Sequence, residues 1–128
     1  MYFSATLQNQ VQNLQNEDSV LFSEIEKCIL GDDLERIKEI FEKFHVNFEY
    51  DSGSLGTLAV KNVKILEFMC DKSKLIQNYG EKMLIAAVWG SRIDTVRYLD
   101  SKGINLENFN NTNVYSYYTD LLNMDKRM

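Results

Sequence analysis

The residues of this 128-residue chain with the most reactive side chains are one histidine, His45, and two cysteines, Cys28 and Cys70. Metal catalysis draws on three or four clustered ligands, and the chain has neither a His-x-x-x-His nor a Cys-x-x-Cys spacing. The cysteines lie far apart in sequence and read as buried free thiols rather than a disulfide framework. His45 falls at the end of an expected helix, where a turn histidine is the simpler reading than a base for either thiol. The carboxylates of Asp32 and Asp33 stand where one helix ends and the next begins, so they are expected to cap rather than to exchange protons. Gly53-Ser54-Leu55-Gly56 lacks the lysine and the spacing of a phosphate-binding loop. No catalytic residue, cofactor or metal ligand is therefore expected, and the chain reads as a non-enzyme.

Composition directs attention to binding instead. With 45% apolar and 26% charged residues the sequence has the balance of an ordinary globular domain, and its length suits one such unit. No apolar run is long enough to span a bilayer, and the amino terminus lacks the basic start and apolar stretch of a secretion signal. A soluble, cytoplasmic protein in a reducing compartment is expected. The net charge of −5 is unevenly spread: residues 1–60 hold 11 acids and 4 bases, residues 61–128 hold 8 acids and 10 bases. The acidic stretch runs from Glu17 to Asp51, which disfavours nucleic acid as the main ligand and suits a partner protein with a basic surface.

The elements that would carry such a surface follow from an internal repeat. Gly31-Asp32-Asp33-Leu34-Glu35-Arg36-Ile37-Lys38 and Gly90-Ser91-Arg92-Ile93-Asp94-Thr95-Val96-Arg97 share one template of glycine, two polar residues, aliphatic, acid, variable, aliphatic, base. Asn62-Val63-Lys64-Ile65-Leu66-Glu67-Phe68-Met69 is a shortened copy between them, Val63 following Leu34 by about 29 positions and preceding Ile93 by about 30. Tyr50, Tyr79 and Phe109 recur at the same spacing beside Glu49, Asn78 and Asn108. Apolar residues in each copy follow helical periodicity, as in Leu34, Ile37, Ile40, Phe41 and Phe44. A second helix precedes each, predicted at residues 23–30, 54–60 and 81–89, with Gly31 and Gly90 as left-handed stops. No segment alternates as a strand would, and the chain contains no proline.

Glu81-Lys82-Met83-Leu84-Ile85-Ala86-Ala87-Val88-Trp89-Gly90, followed by Ile93-Asp94-Thr95-Val96-Arg97 and Gly103, resembles the ankyrin repeat. The similar family pattern is Ala-Ala-x-x-Gly, a helix opening aliphatic-acid-x-Val-Lys, then glycine. Leu34 to Asn47 looks like the same motif with Phe44 in place of a glycine; the copy around Ala59 to Met69 lacks the inter-helix glycine, and none keeps the Thr-Pro-Leu-His motif. The resemblance spans roughly residues 22–111. It implies an all-α, ankyrin-like helical-repeat solenoid in one domain: an N-terminal cap helix (1–20), repeat 1 (21–50), a degenerate repeat 2 (51–79), repeat 3 (80–110) and a C-terminal capping helix (111–128). That last helix would carry Val114, Tyr115, Tyr118, Leu121 and Leu122.

The resemblance also implies a working face. The two variable positions of Ala-Ala-x-x-Gly would line a concave groove, placing Val88 and Trp89 there, Ile29 and Leu30 in repeat 1, and Val60 and Lys61 in repeat 2. Together with the turn residues Glu49, Tyr50, Asn78, Tyr79, Asn108 and Phe109, these form the expected protein-binding set. A stack this short suits a one-to-one inhibitor, an immunity-type protein or an antagonist of host defence. The alternative is a structural subunit that self-associates through its repeat faces into a homo-oligomer.

Overall fold

The computed structural model describes residues 17–105, 116–121 and 123. It is helical throughout, with no strand among the described residues. Six helices follow in order: α1 (Asp18–Leu30), α2 (Leu34–Lys43), α3 (Tyr50–Ala59), α4 (Val63–Asp71), α5 (Leu75–Trp89) and α6 (Ile93–Ser101). A further helical stretch covers 116–121.

The helices come in pairs because each pair buries one apolar stripe against its own partner and another against the next pair. α1 packs on α2, α3 on α4 and α5 on α6, while α1 lies against α3 and α3 against α5. The odd-numbered helices thus form an inner row backed by the even-numbered ones. The spacing of 29 and 30 residues reappears in the core. Ile37, Leu66 and Val96 are equivalent, as are Ile40, Met69 and Leu99, and all six are buried. Burying each such side chain contributes about 1.5–3 kcal/mol.

Side-chain hydrogen bonds between neighbouring pairs keep the same step. The Asn62 amide donates to Asp32 Oδ1 at 3.2 Å, the Asn78 amide to Glu49 Oε1 at 2.6 Å, and the Lys82 ammonium to the Ser52 carbonyl at 3.0 Å. Their separations are 30, 29 and 30 residues.

Several boundaries differ from expectation. α1 begins at Asp18 and runs unbroken through the limit placed at residue 20, so the end of the expected cap and the start of the first unit share one helix. The remainder of that cap, residues 1–16, lies outside the described residues, as do Val114, Tyr115 and Leu122 of the C-terminal helix. α3 and α5 each carry an irregular entry. Asp51, Ser52 and Gly53 are left-handed, with φ of 58°, 57° and 75°, and Tyr79 is non-helical at φ −135°. These two breaks touch, since a Cβ on Gly53 would lie 2.6 Å from Cγ of the Tyr79 ring. Glycine at 53 therefore meets both a backbone and a space requirement.

Candidate protein-binding surface

The turn between the helices of each pair fixes which side chains reach the surface. After α1, Asp32 N–H donates to the Ile29 carbonyl at 3.1 Å and Asp33 N–H to the Cys28 carbonyl at 2.8 Å. After α5, Ser91 N–H donates to Val88 at 3.0 Å and Arg92 N–H to Ala87 at 2.9 Å. These are two copies of a Schellman motif displaced by 59 residues. The expectation that Gly31 and Gly90 are the left-handed residues is corrected: their φ values are −93° and −84°. The left-handed positions are the next ones, Asp32 and Ser91, both at φ 55°. Short polar side chains tolerate that conformation better than bulky ones. Asp33 caps α2 through the Arg36 N–H at 3.2 Å, as expected of a carboxylate there, and Asn62 caps α4 through the N–H groups of Lys64 and Ile65.

This geometry makes Leu30 and Trp89 the last residues of α1 and α5, and they are the exposed large apolar side chains among the described residues, at 57% and 56%. Ile29 and Val88, expected beside them in the groove, are wholly buried. The reason is helical rotation: successive residues point about 100° apart, so Ile29 falls in line with Ile25 and Val88 with Leu84, both core residues. The middle unit is also re-registered. The equivalent of Leu30 and Trp89 there is Ala59, the last residue of α3, which is buried. Val60 occupies the position of the missing glycine and is buried too; its carbonyl accepts the Thr95 hydroxyl at 2.6 Å. Lys61, half-buried, takes the place of Asp32 and Ser91.

Trp89 has a companion that sequence reasoning missed. The Tyr117 ring stacks beside it, with centroids 6.1 Å apart and planes 27° from parallel, and the Tyr117 and Ser91 hydroxyls are hydrogen-bonded. Tyr118 and Leu121 of the same stretch are buried, and the Tyr118 hydroxyl donates to Asp100 Oδ1 at 2.7 Å. The adjacent Tyr117 and Tyr118 therefore divide their roles, one on the surface aromatic pair and one in the core.

The turn residues are occupied with each other. Glu49, half-buried, accepts from the Asn78 amide and from Lys74 N–H at 3.3 Å. Tyr50 packs on Phe22 at 5.4 Å between centroids, and Tyr79 covers Gly53. These four bridge neighbouring pairs, and only Asn78 among them is exposed. Asn108 and Phe109 lie outside the described residues.

The two thiols are buried rather than presented at this surface. Burial pushes the Cys28 and Cys70 thiols up from 9.0 to about 11, Arg36 pulling the first back only in part. His45 is exposed at the turn after α2. Among the described residues no group of three His, Cys, Asp or Glu is placed to hold a metal ion, and no helix is long and apolar enough to cross a membrane. Comparison with family models, curated proteins and solved structures gives no match for the chain.

Proposed function

We propose that the three helix pairs are divergent ankyrin-like repeats forming a short solenoid closed by terminal helices, and that the chain is a protein-binding module. It acts as a one-to-one inhibitor, immunity-type or antagonist protein through the edge formed by the ends of its inner helices. The observation that carries this reading is the exposure of Leu30 and Trp89 at equivalent turn positions, since large apolar side chains left in water at repeated sites mark an interface. Support for the repeat reading comes from the duplicated Schellman turns and the hydrogen bonds that step by 29 or 30 residues. Charge adds direction. Asp32 and Asp33 flank Leu30, whereas Lys61 and Arg92 sit at the second and third turns, so a basic patch on the partner would lie over the first pair.

The test is affinity capture from native cells with wild type, Leu30→Ser and Trp89→Ser, each checked by a urea melt because Trp89 also packs on the Tyr117 ring. A partner held by wild type and lost by both variants is the expected result. Equal recovery by all three proteins would refute the surface. Light scattering on the same samples separates the alternative, because a homo-oligomer that dissociates on either substitution would identify the partner as a second copy of the chain.

A further inference from the structure

The backing row of helices carries a second surface, unrelated to the inner edge. An open groove of about 1020 Å³ crosses α2, α4 and α6 and reaches the first turn of α5. Its floor is apolar and aromatic, with Leu34, Phe68, Ile76 and Tyr98 each half-buried. Lysines stand along it: Lys38, Lys64 and Lys102 line the groove, and Lys72 sits over the Phe68 ring with Nζ 5.9 Å from the centroid.

Part of this arrangement is itself repeated. Phe68 and Lys72 on α4 are matched by Tyr98 and Lys102, one unit later, with Lys102 Nζ 5.7 Å from the Tyr98 centroid. Each helix thus presents an aromatic ring with a lysine one turn on, held over its face. These four ammonium groups meet three carboxylates, Glu67 and Asp71 in the groove and Glu35 beside Lys38, which leaves a local positive excess in a chain whose net charge is −5. Two of the lysines are engaged in loose exposed pairs, Lys38 with Glu35 and Lys72 with Asp71, both at 3.7 Å, which are weak enough to yield to a better partner.

We infer that this groove binds an extended acidic peptide segment of a partner protein, its carboxylates on Lys72 and Lys102 and an apolar side chain between Phe68 and Tyr98. Packed helices stand roughly 10 Å apart. An extended chain advances about 3.3 Å per residue and returns a side chain to the same face every second residue, so the matching ligand carries acidic residues about four positions apart with the apolar residue midway. A nucleic-acid strand would bring one phosphate per nucleotide against Glu67 and Asp71, whereas the peptide carries charge only at its spaced carboxylates.

A random peptide library selected on the immobilised full chain tests this. The expected outcome is enrichment of peptides with spaced Asp or Glu around an apolar residue. Their affinity should fall by about tenfold or more in Lys72→Glu/Lys102→Glu and stay unchanged in the charge-matched Lys27→Glu/Lys43→Glu, both exposed on α1 and α2. Amide shifts induced in wild type should cluster at residues 64–72 and 98–102, a readout independent of how the variants fold. Failure to enrich, enrichment of neutral or basic peptides, or shifts elsewhere would overturn the proposal. So would binding of a single-stranded oligonucleotide to this groove in preference to the peptides.

Discussion

Gly53→Ala isolates the contact that joins the second and third helix pairs. The new methyl group meets two penalties at once. Holding a non-glycine residue at φ 75° costs about 1–2 kcal/mol. The methyl carbon would also stand 2.6 and 2.7 Å from two atoms of the Tyr79 ring, and relieving such an overlap costs about 1–3 kcal/mol more. Gly103 supplies the control, because it too is left-handed, at φ 87°, yet has nothing within 4 Å of its Cβ position. Gly103→Ala should therefore show the backbone penalty alone. In urea, with a slope of roughly 1.5 kcal/mol/M, the Gly53 variant should lose about 2 M of its midpoint and the Gly103 variant about 1 M. Gly53→Ala/Tyr79→Ala should be less destabilised than the two single losses added together, since the collision vanishes with the ring. Equal midpoints for the two glycine variants would refute the close approach of Tyr79 to the turn.

The buried thiols give a pH prediction. A folded-state value of about 11 against 9.0 means the contribution is complete below pH 9 and is lost as pH rises through 11, roughly 2 kcal/mol for each cysteine by then. Denaturant melts across that window should fall less steeply for Cys28→Ala/Cys70→Ala than for wild type, and a thiol reagent at pH 8 should react only on unfolding. Removing the Tyr118 hydroxyl in Tyr118→Phe leaves Asp100 without that donor and should cost about 1–2 kcal/mol in thermal or urea unfolding. Glu24→Gln weakens the 2.9 Å pair with Arg36, both side chains 17% exposed, and should cost about 1–3 kcal/mol by the same measurement. Because Leu30 is mostly in water, Leu30→Ser should change stability by under about 0.5 kcal/mol, so a binding loss in that variant reads the surface alone.

How far these features were legible depends on what local periodicity encodes. The helix pairs were readable because Ile37, Leu66 and Val96 repeat a core position, and a repeated core position needs the same residue class each time. Leu30 and Trp89 were readable from their place before a turn glycine. Ile29 and Val88 were misplaced because a motif of two variable positions was taken as one face, whereas successive helical residues point about 100° apart and these two fall on the core side. The left-handed turn residue was misassigned since glycine is its commonest occupant, and here the glycine stands one step earlier. Tyr117 carried no such signal, because its partner is 28 residues away and its neighbours Tyr115 and Tyr118 fit the helical stripe equally well.

The middle unit ties the two surfaces together. Val60 stands where the first and third units have a turn glycine, and both it and Ala59 are buried, whereas Leu30 and Trp89 project at the positions matching Ala59. The inner edge is therefore interrupted at its centre and presents two separated apolar points rather than one continuous stripe. On the backing row the order is reversed. α4 supplies Phe68, which packs against Phe41 and Phe48 at 5.8 and 6.3 Å and takes lysines from two helices over its ring. This unit thus lacks a projecting apolar residue on one face and carries the Phe68 ring on the other. If both faces bind, substitutions in α4 should affect only the backing groove, and a Phe68 variant that also abolished capture through Trp89 would show that the two faces are not independent.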